Sequence, residues 1–189
     1  MGASLTDVAN DALGLIGEDP IAGLDDGTTK ANRCNVFLLP LVDDVLRRHD
    51  WNCAHFLATL ALTTAPAFGY TNAFQLPGDP YCLRVLTLNQ SEQITWKVRG
   101  RTLHTDDSVA EIEFTGRVSD PTLWDSTLYQ AMIYCLASKL AGAILHDPKM
   151  QTVMYQTYEQ IMLEGTTIDS QEGSQDAYSA PEFVLVRGG

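Results

Sequence analysis

The spacing of apolar positions changes period twice along the chain. Leu5, Val8, Ala9, Ala12, Leu13 and Ile16 recur at helical spacing and predict a first helix with one apolar stripe. Ser4 and Asp7 have the outline of a capping box, and Gly17 suits a C-terminal stop. Turn residues fill the stretch from Glu18 to Gly27. A second helix is predicted from about Thr28 to His49, with Ala31, Cys34, Leu38, Leu41, Val42 and Val45 on one face. Pro40 inside it predicts a kink or a division into two shorter helices. Asp43 and Arg47 stand one turn apart and are expected to pair. Arg47, Arg48 and His49 fall in the last turn, where positive charge complements the helix dipole.

Beyond Trp51 the period shortens to two. Phe56–Leu62, Tyr81–Leu88, Ile94–Val98, Thr102–His104 and Val109–Phe114 are rich in strand formers and predict a small antiparallel sheet or barrel. Arg99-Gly100-Arg101 reads as a turn, and the tract from Ala65 to Pro80, with its prolines and glycines, as a long structured loop. Helical spacing then returns. Leu128, Ala131, Met132, Cys135, Leu136, Ala143 and Ile144 predict a third helix, with Pro121 in its first turn. Met150, Met154, Tyr158, Ile161 and Met162 predict a fourth, broken near Gly165. The polar remainder ends in Glu182-Phe183-Val184-Leu185-Val186 and reads as an extended arm. The expected fold class is α+β: a helical body from residues 1–55 and 120–168, an inserted small antiparallel β lobe at 56–119, and an extended C-terminal arm at 169–189.

Composition narrows the function classes. The chain has 189 residues, with 24 acidic and 12 basic ones giving a net charge of −12, a balance that opposes binding to a phosphate backbone. Such acidity keeps a protein soluble, and it also suits a wall past which DNA slides without sticking. Cys34, Cys53, Cys82 and Cys135 show no paired spacing and are expected to be free thiols in a reducing compartment. No apolar run is long enough on this reading to span a bilayer, and the start lacks the basic region of a secretory signal.

Candidate chemistry is sparse. The sequence holds no phosphate-cradling loop and no Gly-x-Ser-x-Gly elbow. His49, Cys53 and His55 offer three potential metal ligands but no fourth, and they read as structural residues near a helix end. Glu111 and Glu113 alternate along a strand and share a face, an arrangement that paired acid–base chemistry on a glycan could use and that a solvated strand face explains equally. No catalytic, cofactor or metal residue is assigned, and the chain is expected not to be an enzyme. Trp51, Trp96 and Trp124 are core candidates, with Trp124, at a loop-to-helix junction, also a candidate subunit contact.

Several segments, taken in order, resemble a known family. They are Val45-Leu46-Arg47-Arg48-His49-Asp50-Trp51-Asn52-Cys53-Ala54, then Phe68-Gly69-Tyr70 through Phe74-Gln75-Leu76-Pro77, then Leu83-Arg84-Val85-Leu86. Gly116-Arg117-Val118-Ser119-Asp120-Pro121-Thr122-Leu123-Trp124-Asp125 and Asp169-Ser170-Gln171-Glu172-Gly173-Ser174 follow. The chain resembles the podovirus tail tubular protein A and the wider head-to-tail adaptor (connector) proteins below the phage portal, from about Leu5 to Ser174. The resemblance implies a virion protein, made in the host cytoplasm, that forms a ring, typically of twelve subunits. Its partners would be the portal protein, a tail nozzle of the tail tubular protein B type and further copies of itself, with DNA passing through unbound. The residues expected at contacts are Arg47, Arg48, Phe74, Trp124 and the arm residues Phe183, Val184, Leu185 and Val186. An acidic lumen would require Arg47, Arg48 and Arg101 to point elsewhere. The alternatives are a tail-associated glycan hydrolase using β-lobe carboxylates and a head completion protein of a long-tailed phage.

Overall fold

A computed structural model describes residues 4–64, 69–91 and 93–172. Four helices and two small antiparallel sheets make up an α+β fold. Helix α1 spans Leu5–Leu15, and Ser4 and Asp7 close the capping box reciprocally. Its end is a Schellman turn: Gly17 (φ +78) bonds back to Gly14 and Glu18 to Leu13 at 3.0 Å. The Asn10 side chain clamps the following loop by exchanging two bonds with the backbone of Ile21. Helix α2 spans Thr29–Arg48 behind the cap of Thr28 and runs through Pro40 without division. The proline removes one donor from the helix, and the buried face from Ala31 to Leu46 holds the helix together on either side.

Helix α3 (Ser126–Leu140) is the centre of the body. Leu128, Ala131, Met132, Cys135, Leu136 and Leu140 are buried on it, and α1, α2 and α4 pack around it. Asp125 caps it by accepting from the amides of Thr127 and Leu128. Pro121 does not begin this helix; it opens a separate single turn at Pro121–Leu123, capped by Asp120. A π turn at Ala141–Leu145 extends α3, so that Ser126–Leu145 is long and apolar enough, by length and composition, to cross a membrane. That corrects the sequence expectation. Most of the stretch is nonetheless buried inside the protein, as suits the middle helix of a packed bundle. Helix α4 (Pro148–Glu172) continues through Gly165 rather than breaking there. Gly165 is buried: a Cβ on it would lie 3.1 Å from Thr127 Cγ2 and 3.4 Å from the Trp51 ring, so close packing explains the glycine. The helix also takes in residues 169–172, which the sequence placed in the arm. Phe183, Val184, Leu185 and Val186 lie outside the described residues.

The β lobe holds β1 (His55–Thr59), β2 (Ala61–Leu62), β3 (Asn72–Gln75), β4 (Cys82–Leu88), β5 (Trp96–Arg99), β6 (Thr102–Thr105) and β7 (Glu111–Gly116). One sheet has the order β1-β7-β4 and the other β2-β3-β6-β5, both antiparallel. The predicted strand from Phe56 to Leu62 is thus two strands. Leu60 turns inward at the corner, its amide bonds to Ala110, and the chain passes from one sheet to the other. Strand β3 lies in the tract read from sequence as loop. Its four residues are too few to show an alternation, and its pairing with β2 and β6 supplies what the local sequence does not. Gly100 (φ +59) and Arg101 form the two-residue turn between β5 and β6. Between the sheets lies a small core of Leu60, Phe74, Leu76, Cys82, Leu88, Leu103, Ala110, Ile112 and Phe114.

Candidate interaction site

The lobe meets the body at a cluster of paired charges. Asp43, half-buried on α2, accepts two bonds from Arg117, at 2.6 Å from Nε and 2.5 Å from Nη2. This carboxylate raises the Arg117 pKa further above its ordinary value. The expected pairing of Asp43 with Arg47 is replaced by this contact with Arg117, which follows β7 and takes both carboxylate oxygens. The guanidiniums of Arg117 and Arg101 both lie over the ring of Tyr81, at 4.7 and 4.0 Å from its centroid. Arg101 also donates to the carbonyls of Cys82 (2.8 Å), Leu76 (3.5 Å) and Pro77.

Beside this cluster the lobe is open. Strands β4 and β5 are each one of the two outer strands of their sheet, and both border one cleft of about 550 Å³. The α2 residues Asp43 and Arg47 form its helical wall, and Leu76, Val85, Trp96 and Val98 give it apolar surface. Arg84 and Arg101 add charge. Thus Arg47, Arg84 and Arg101 gather on one cleft of a chain whose net charge is −12. Burial pushes the Cys82 thiol pKa up there, with Arg101 and Arg47 opposing the shift. Strand β4 carries two register irregularities along this border, which twist an edge strand and leave it less regular.

Arg48 turns to the other side. It pairs with Asp44 at 3.1 Å and lies 6.0 Å from the ring of Tyr158, beside Glu159, Met162 and Leu163 of α4 in an open hollow of about 430 Å³. The Asp44 bond raises the Arg48 pKa further above its ordinary value, and burial raises that of Tyr158. Arg47 and Arg48 are exposed, whereas Phe74 and Trp124 are buried within the chain. Trp124 stands at the junction the sequence indicated, but its indole donates to the Val118 carbonyl at 2.8 Å and its ring belongs to the body core. In this conformation neither ring is offered to a neighbour.

Glu111 and Glu113 line a shallow groove of about 210 Å³ with Leu57, Thr59 and Thr87, and Glu113 accepts from the Thr87 hydroxyl at 3.3 Å. His55 bonds Asp50 at 3.0 Å, and His49 stands edge-on to Trp51 at 4.8 Å. Among the described residues no three His, Cys, Asp or Glu side chains are grouped to hold a metal ion. All four cysteines are free thiols. Nothing in the sequence signals the pairing of Asp43 with Arg117, which are 74 positions apart, nor the cleft, which exists only through the sheet order. No protein-family model matches the chain, and no curated protein matches it.

Proposed function

We propose that the chain is a structural subunit of a phage head-to-tail connector, one of a ring of copies lying between portal and tail nozzle and giving the genome a conduit. The observation that carries this reading is the ordered series of segments resembling tail tubular protein A, from Val45–Ala54 to Asp169–Ser174. Two features of the fold support it. A β lobe emerges from a helical body, which gives one subunit distinct faces for head-to-tail contacts. Arg101 and Arg117 are engaged within the chain, and Arg48 by Asp44, so these cations are not displayed as a phosphate-binding row.

The test is the mass of the purified protein in solution, alone and mixed with a portal ring. Monomers that join the portal as a ring are the expected result, and stable rings without portal would also support a connector. A monomer that ignores the portal would overturn the reading and redirect attention to the Glu111 and Glu113 groove.

A further inference from the structure

The β lobe has two unlike margins. Strands β1 and β2, joined through Leu60, form one of them, and β4 and β5, facing each other across the cleft, form the other. The first margin projects: Leu57 on β1 is 75% exposed and Leu62 on β2 is 64% exposed. The second recedes. Its cleft of about 550 Å³ has Leu76, Val85, Trp96 and Val98 on its surface, and Val98 is 37% exposed. Large apolar side chains displayed on outer strands mark a surface made for association.

We infer that the β1–β2 margin of one copy of this chain seats in the β4–β5 cleft of a second copy, with Leu62 entering the space bordered by Val85, Trp96 and Val98. The inference rests on the connector reading, which supplies the second copy, and names the faces through which copies meet. Charge favours the same partner. Glu111 and Glu113 stand beside Leu57 in the shallow groove of the first margin, whose lining holds no Lys or Arg. The cleft is bordered by Arg47, Arg84 and Arg101, and its one acid, Asp43, is taken by Arg117. Arg84 faces Asp50 at 3.9 Å and Arg101 donates to carbonyls, so the glutamates of a second copy would meet chiefly the exposed Arg47 and Lys97. The two register irregularities of β4 interrupt the row of backbone groups that a strand-to-strand ladder needs, so side chains make the joint.

Opposite margins of identical copies meet head to tail. Each added copy then leaves one margin and one cleft unfilled at the ends, and the series stops only when it closes on itself. A contact between like margins would stop at two copies. The lobe thus carries both halves of a contact that a ring can repeat.

The experiment uses full chains. A heavy-isotope-labelled chain carries the photo-cross-linking residue p-benzoylphenylalanine in place of Leu62 and is mixed with an unlabelled chain lacking the probe. The mixture is irradiated with and without a portal ring, and the products are mapped by mass spectrometry. Cross-links from position 62 to Val85, Trp96 or Val98 of the unlabelled chain are expected. Val98→Asp in the unlabelled chain should lower their yield about tenfold. The same substitution in the probe-bearing chain should leave the yield unchanged, which also shows that the variant folds. Cross-links that land elsewhere, stay within the probe-bearing chain, fail to form in either setting, or disappear whichever chain carries Val98→Asp would overturn the inference. Chains that ignore the portal yet give the expected cross-links would refute the connector and leave this contact standing; chains that join the portal and cross-link elsewhere would do the reverse.

Discussion

The helical body and the β lobe are stabilised by different means. In the body, one apolar cluster runs without interruption from Val8 through Leu41, Trp51 and Leu136 to Ile161. Its polar side chains work mainly at the helix ends, as caps. The lobe has a far smaller core and relies on side chains that bond to backbone across loops. Asn89 bonds Asp107 and Val109 and accepts from Glu111, Thr71 and Asn72 tie to Asp106 and Asp107, and Arg101 holds three carbonyls. The difference teaches that a continuous apolar core holds the body, whereas local polar bonds fix the lobe. Polar networks fix local geometry, but they leave outer strands available to a partner in a way that a closed apolar core does not.

Alkali should separate the two regions most. Burial pushes the thiols of Cys34 and Cys135, both in the body, up to about 11 from an ordinary 9.0, and burial with the nearby Asp11 pushes Tyr129 up to about 12 from 10.0. The unfolded chain releases these protons at the ordinary values and the folded chain only at the higher ones. Stability is therefore intact below pH 9.0 and declines as pH rises through about 11 and 12. Each thiol accounts for a loss on the order of 2–3 kcal/mol. Urea unfolding followed by circular dichroism across this range should show the loss, and substituting Cys34 and Cys135 by alanine should flatten the profile.

Trp51→Ala attacks the body where it meets the lobe. The indole is 1% exposed and donates to the Val45 carbonyl at 3.2 Å. Truncation should cost about 3–5 kcal/mol, read as a lowered urea midpoint. A change below about 1 kcal/mol would mean that the junction is softer than its burial implies. Arg101→Ala should cost less, about 1–3 kcal/mol, through its lost carbonyl contacts. Its effect should be local: hydrogen exchange should quicken in β4 and β5 while α3 keeps its protection. Equal loss in both regions would erase the contrast between body and lobe.

The helices were legible because each residue's neighbours along the chain decide them. The α1 stripe with Ser4 and Gly17, and the buried face of α2, appear in the structure as the spacing indicated. Where the reading failed, distant contacts decided. Leu60 breaks a strand because two sheets meet there, and β3 becomes a strand because β2 and β6 flank it. Gly165 fails to stop α4 because the packing of Trp51 and Thr127 favours a helix without a side chain at that point. The candidate contacts divide in the same way: Arg47 and Arg48 are exposed as their place on α2 suggests, whereas Phe74 and Trp124 are covered by residues far along the chain.

The register of β1 against β7 has a consequence for how such a protein can change over generations. His55 and Thr115 stand directly opposite each other, so the lobe leaves the body and returns to it about 5 Å apart. An insertion with adjoining ends behaves as a cassette: a short turn can replace it, or a different lobe can be spliced in, while the helices keep their paths. The helices can therefore keep their paths while the segment between residues 55 and 115 is exchanged.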